Sequence, residues 1–136
     1  MAAEQRGDGT VSHFVPNVGL FTKDPALFCG GSAWADAAVI CPWQLYQAYG
    51  DKELLREHLP MMQKWVEYVC RAAGDSCIWS TGHHYGDWLA LDAGEGNYTG
   101  ASRKEFIATA FYAHSAQLLA QAMDALDMDL SLIHIS

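Results

Sequence analysis

Two short stretches of this 136-residue sequence concentrate side chains able to hold a polar ligand. Residues 30–51 read GGSAWADAAVICPWQLYQAYGD, and residues 82–92 read GHHYGDWLALD. Each sets a tryptophan close to an aspartate: Trp34 with Asp36, and Trp88 with Asp87. That pairing suits a sugar. The apolar C–H face of a pyranose stacks on an aromatic ring, while a carboxylate bridges pairs of hydroxyls. By composition alone the signal is weak, because a tryptophan more often fills a core than faces a ligand. Each aspartate also has a plain alternative as a helix cap or as a brace on loop N–H groups.

Other chemistry finds little support. His83 and His84 are adjacent, and neighbours in sequence rarely face one ion. No third ligand stands at a familiar spacing, so no metal site and no cofactor are expected. His84 remains a candidate lining residue for the sugar. His114 falls mid-helix on an apolar-looking face and is expected to be a satisfied core histidine. Trp43 and Trp65 sit on helical stripes and are expected in the core, while Trp79 is open. The sequence holds no P-loop, GxGxxG, GxSxG or Cys/His nucleophile arrangement.

Four elements are expected to carry these stretches. Residues 1–30 read as loop, with Gly, Pro, Asp and Asn recurring; a connection that long usually builds a site. A first helix is expected from Ala33 to Tyr49, capped by Ser32, with Ala37, Ala38, Cys41, Leu45 and Ala48 inward. Pro42 should kink it, and Gly50 should end it. Asp51 is expected to cap a short helix, KELLREH, and Pro60 to open another. There Met62, Trp65, Val66, Val69, Cys70 and Ala73 fall on one stripe. Residues 75–100 read as irregular. A last helix is expected from Ser102 to Leu126, opened by a Ser102–Glu105 capping box. Its apolar residues cover a broad arc, which suits an inner helix of a two-layer helical array. The pattern is all-α, with long aromatic loops.

Bulk properties narrow the class. Hydrophobic residues make up 51% and charged residues 18%, a globular composition. The net charge is −8, and the eight basic residues are scattered. That argues against nucleic acid and against an anionic membrane surface as partners. No apolar run approaches the roughly 18 residues that span a bilayer. The four cysteines form no CxxC pair. They read as buried free thiols in a reducing compartment, which favours a cytoplasmic location; any signal peptide would lie upstream of Met1.

The first stretch resembles the G-S-A-A-W-x-D-A…P-W…Y…Y-G-D segment of bacterial α-L-rhamnosidases, glycoside hydrolase family 78. The second resembles that family's Y/F-G-D-W-L motif, and FIATAFYAHSAQLLAQAMDAL (106–126) resembles the helix that follows it. The opening MAAEQRGDGTVSHFVPNVG is similar to the family's loop ahead of the first motif. The resemblance covers about residues 1–128, with matching order and spacing.

It implies an (α/α)6 barrel, six helical hairpins in a toroid with the active site at one mouth. This chain would hold about two of those hairpins. The resemblance implies that Trp34 and Trp88 line a rhamnose pocket, where an apolar wall suits the 6-methyl group. It makes Asp36 and Asp87 candidates for binding hydroxyls. The implied partners are a rhamnose-containing oligosaccharide or plant glycoside and the remainder of the catalytic domain. The family is an inverting glycosidase, with one carboxylic acid protonating the leaving oxygen and one carboxylate activating water. The family's D-C-P-Q-R-x-E-R-x-G-W-type acid motif has no counterpart here, and its basic glutamate would lie downstream. Glu4, Glu95 and Glu105 match neither position. Both catalytic carboxylates are therefore expected outside the chain, which alone should be inactive and prone to aggregate. Residues 1–129 read as part of the catalytic domain, and 130–136 (LSLIHIS) as a foreign tail. Two alternatives stand beside this reading. One is another (α/α)6 carbohydrate enzyme such as an unsaturated uronyl hydrolase, although neither aromatic stretch holds Arg or Lys to meet a sugar carboxylate. The other is a non-catalytic carbohydrate-binding helical segment.

Overall fold

Gly50 and Asp51 turn the chain sharply, and they fix its main hairpin. Gly50 takes a left-handed conformation (φ 68°), and its N–H donates to the Tyr46 carbonyl at 2.7 Å. Asp51 then accepts from the N–H groups of Glu53 and Leu54, both at 3.0 Å, and caps the next helix. In a computed structural model that describes residues 1–17, 28–90 and 92–128, three helices result. They are α1 (Ala37–Tyr49), α2 (Lys52–Ala73) and α3 (Lys104–Ala125), and each packs on the other two. The described residues thus form one helical hairpin plus one further helix, all-α, with no strand among them. No described helix is long and apolar enough to cross a membrane. The expected tail at 130–136 and the loop residues 18–27 lie outside the described residues.

The stripe on α2 is where sequence and packing agree best. Leu55, Leu59, Met62, Trp65, Val66, Val69 and Ala73 are buried, and Cys70 is half-buried. The spacing is that of one helical face, so α2 is the spine on which the other helices lie. It is a single helix, not two. Pro60 falls inside it and is exposed, so water can serve the Arg56 carbonyl that loses its i+4 donor. Likewise α1 runs unbroken through the buried Pro42.

On α1 the face differs from the expected one. Ala38, Val39, Pro42 and Trp43 turn inward, whereas Leu45, Ala48 and Cys41 are exposed. Apolar residues surround this helix, so periodicity cannot choose a face; the bulk of Trp43 does. The thiols follow suit. All four cysteines are free, but Cys41 and Cys77 are exposed and Cys29 and Cys70 only half-buried. The expectation of buried thiols fails for that reason. On α3, Ala108, Tyr112, Ser115, Leu118, Leu119, Ala122 and Met123 are buried. Phe106 and Ala110 are exposed, and so is His114, which is not a core histidine. They share the face turned away from α1 and α2. The expected Ser102–Glu105 capping box is also absent: Arg103 occupies the cap position without a side-chain bond, and α3 starts at Lys104.

The leading segment is strapped along α2. Gln5 donates from Nε2 to the Met61 carbonyl at 3.1 Å, and Arg71 donates to the Asp8 carbonyl at 2.7 Å. Gly9 (φ 95°) packs against the Lys64 carbonyl so closely that a Cβ there would collide with it. This strap ends by delivering Val11 to the core and His13 to the end of the bundle where α1 begins and α2 finishes.

Candidate functional site

At that end of the bundle the two tryptophan-bearing loops meet. The first, residues 30–36, opens α1 later than its sequence suggests. Ala33 is left-handed (φ 69°), so no helix can include it, and α1 starts at Ala37. Ser32 is not the cap. Its N–H donates instead to Nδ1 of His84 at 3.2 Å. Asp36 occupies the cap position and turns its side chain back on the loop, where Oδ2 accepts from the Ala33 N–H at 2.7 Å. Its other oxygen accepts from Trp65 Nε1 at 2.9 Å and from the Ser115 hydroxyl at 2.6 Å. Asp36 is fully buried. One carboxylate therefore ties α1, α2 and α3 to the turn that carries Trp34.

Two imidazoles complete the clamp. His84 accepts from Ser32 through Nδ1, so its Nε2 carries the proton and donates to the Thr81 carbonyl at 2.9 Å. Both of its nitrogens are thus taken by the chain itself. Burial pushes its pKa below the usual value. Trp79, fully buried, packs edge-on against the His84 ring at 4.5 Å and against Trp65 at 5.8 Å. From the other side, Nε2 of His13 accepts from the Gly31 N–H at 2.8 Å, and Nδ1 lies 3.2 Å from the Tyr85 hydroxyl. Burial, with lesser contributions from His83 and His84, lowers the His13 pKa to about 4. Consecutive N–H groups, Gly31 and Ser32, are thus held by two neutral histidines. Gly31 is required here: a Cβ would sit 2.6 Å from His13 Nε2 and 3.0 Å from the His83 carbonyl.

The second loop, residues 82–100, folds back on itself. Trp88 and Thr99 form an isolated antiparallel bridge. Leu89 N–H donates to the Tyr98 carbonyl at 2.6 Å, and Gly100 N–H donates to the Asp87 carbonyl at 2.9 Å. Leu89 is held left-handed (φ 62°). Asp87 is exposed, and its Oδ2 lies beside Gly100.

Above these braces the aromatic rings line up. Trp34 lies 5.7 Å from Tyr85, Tyr85 lies 5.7 Å from Trp88, and Trp88 lies 5.6 Å from Tyr98. Trp34 is 49% exposed and Trp88 47% exposed, unlike the buried Trp43, Trp65 and Trp79. The result is a continuous aromatic rim in contact with solvent, with the exposed Asp87 beside it. Such a surface can stack on apolar sugar faces and accept from hydroxyls. Trp34, Trp88 and Asp87 of the sequence candidates stand on this rim. Asp36 and His84 stand beneath it, as braces.

Sequence reasoning did not single out Tyr85, Tyr98 or His13. Tyr85 and Tyr98 lie inside or near the second stretch, and their aromatic character was the available signal. His13 carries none, since its partners lie 18 and 72 positions away. A hollow of about 500 Å³ lies elsewhere, between Ile78, Arg103, Glu105, Phe106 and Thr109. Among the described residues no group of three or more His, Cys, Asp or Glu side chains could hold a metal ion.

Comparison with known proteins agrees with this architecture. A family model described as the bacterial alpha-L-rhamnosidase 6 hairpin glycosidase domain matches residues 1–131. An alpha-L-rhamnosidase of Streptomyces avermitilis is 37% identical over 125 residues, covering 92% of this chain and 11% of its own length. One from Alteromonas sp. is 35% identical over 118 residues, covering 85% of this chain and 12% of its own. A crystal structure of the Streptomyces avermitilis enzyme complexed with L-rhamnose superposes with a TM-score of 0.73 at 32% identity. That match covers 97% of this chain and 11% of that one. The chain spans about a tenth of the length of the relatives it matches.

Proposed function

Since this chain belongs to the bacterial α-L-rhamnosidase six-hairpin glycosidase family, we propose that it forms the rhamnose-contacting wall of an enzyme that releases terminal α-L-rhamnose. The observation that carries the reading is the aromatic rim. Two half-exposed tryptophans from separate loops meet over Tyr85. A 6-deoxy sugar presents a methyl group and apolar C–H faces, and such a rim offers both a place to pack. The relative solved with L-rhamnose supports that choice of sugar.

In this reading Trp34 and Trp88 stack on the sugar and Asp87 accepts from its hydroxyls. Asp36 and His84 bind no ligand; they hold the Trp34 loop in place. The reaction is an inverting hydrolysis, in which a carboxylic acid protonates the leaving oxygen and a carboxylate activates water on the opposite face. Both carboxylates come from the rest of the catalytic domain. That remainder also covers the exposed apolar face of α3 around Phe106 and Ala110.

The test is a graft. Residues 1–128 replace the matching segment of the Streptomyces avermitilis enzyme, and hydrolysis of an aryl α-L-rhamnoside is followed. Trp34→Ala and Trp88→Ala in the graft should each raise KM roughly tenfold, the loss of one stacking contact of about 1–1.5 kcal/mol. Unchanged KM and kcat in both variants would overturn the reading.

A further inference from the structure

Tyr85 sits at the centre of the rim, and its hydrogen bonding has a direction. Gly31 is a backbone donor, so Nε2 of His13 must be the acceptor in their 2.8 Å contact. A neutral imidazole has one proton, which therefore resides on Nδ1. Nδ1 lies 3.2 Å from the Tyr85 hydroxyl, so His13 donates and the phenol oxygen accepts. The phenol's own hydrogen is turned away from His13. Among the described residues no acceptor takes it. Tyr85 is half-buried between Trp34, Trp88 and the His83 ring, all in tilted or edge contacts at 5.0–5.7 Å. The phenol is thus fixed in position, met by a donor from below, and left with its own hydrogen to offer upward.

We propose that Tyr85 is a specificity-determining contact that donates a hydrogen bond to one ring hydroxyl of the bound sugar, with His13 as its positioning residue. This rests on the rhamnose reading of the rim. Burial raises the Tyr85 pKa and holds the His13 pKa down to about 4, so both protons stay in place across the neutral range. Gly31 belongs to the same device, because any larger residue would push His13 off its N–H. A phenylalanine in place of Tyr85 would keep the wall and lose the donor. The contact therefore selects among sugars that share the same apolar face but differ in one hydroxyl.

Two measurements on the full chain test this. The first is independent of any sugar: ¹⁵N NMR of the imidazoles should find His13 protonated on Nδ1, and a proton on Nε2 would overturn the proposal. The second is binding of methyl α-L-rhamnoside and of its 2-, 3- and 4-deoxy analogues to wild type, Tyr85→Phe and Trp34→Ala. Tyr85→Phe should weaken the parent glycoside several-fold, up to roughly tenfold, and should leave one deoxy analogue bound as in wild type. Trp34→Ala should weaken all four alike. Equal losses for all four in Tyr85→Phe, or none, would overturn the donor role while leaving the wall intact. If Trp34→Ala also binds all four as wild type does, the rhamnose reading of the rim fails instead.

Discussion

The two loops that present Trp34 and Trp88 reach the same rim by different means. The Trp34 loop is tied from below. Asp36, His13 and His84 are all buried, and between them they take the N–H groups of Gly31, Ser32 and Ala33 in succession. The Trp88 loop is anchored at its start, where His84 meets Ser32 and Tyr85 meets His13, and from Gly86 onward it is tied to itself. Its bonds run from Leu89 to Tyr98 and from Gly100 to Asp87, and Trp88, Leu89 and Tyr98 all stay exposed. Each loop also holds one residue in a left-handed conformation beside its tryptophan, Ala33 in the first and Leu89 in the second. The strain is similar, but only the first loop has a buried polar framework to offset it. One tryptophan is therefore set by the helical core, and the other by local pairing that the core does not enforce. A rim built this way has one half tied to the buried core and one half tied mainly to its own loop.

The largest test of that contrast is removal of the Asp36 carboxylate. Asp36→Ala leaves two buried donors unpaired, on Trp65 and Ser115, and a third, part-buried, on Ala33, and should cost about 3–5 kcal/mol of stability by chemical denaturation. A loss below about 1 kcal/mol would mean that the core-tied half is not held this way. The next is the effect of pH. His13 has an ordinary value of 6.5 and a folded value of about 4, lowered by burial. Its contribution to stability is complete above about 6.5. As the pH falls from there to about 4, protons bind the unfolded chain but not the folded one, so stability drops; below about 4 this contribution levels off. The groups facing His13 are Gly31 N–H, Tyr85, Trp34, His83 and His84. His13→Gln should flatten that limb of the denaturation-midpoint profile, and an unchanged profile would remove His13 from the framework. The smallest effect is expected on the other loop. Leu89→Gly relieves a left-handed leucine at the cost of backbone freedom, for a net gain under about 1 kcal/mol. A loss there would show that the Leu89 side chain braces its loop.

What the sequence made legible was the helical frame and the aromatic composition of the site. The α2 stripe could be read because its polar and apolar residues alternate with a clear period. The inward face of α1 could not, because Cys41, Leu45 and Ala48 are as apolar as the residues that won. Trp34 and Trp88 were visible as ligand-facing candidates through the motif resemblance. The division of labour beneath them was not. A buried aspartate and an exposed one look alike in sequence, yet Asp36 is fully enclosed and Asp87 faces solvent. His83 and His84 are neighbours with opposite fates, since only His84 turns inward to meet Ser32 and Thr81. His13 was invisible because its role depends on contacts across the fold. The late start of α1 was hidden for a related reason: Ala33 has good helix propensity, and its own bond to Asp36 together with the tie of Ser32 to His84 overrules it.

The most direct test of the rim as a sugar wall uses the five tryptophans as reporters. With 5-fluorotryptophan incorporated, the chain should give five ¹⁹F resonances, assigned by single Trp→Phe variants. Addition of methyl α-L-rhamnoside should shift the resonances of Trp34 and Trp88, which are 49% and 47% exposed, and leave Trp43, Trp65 and Trp79 in place. If saturating rhamnoside moves neither exposed resonance, the rim does not contact the sugar, and this chain is no part of a rhamnose-binding wall.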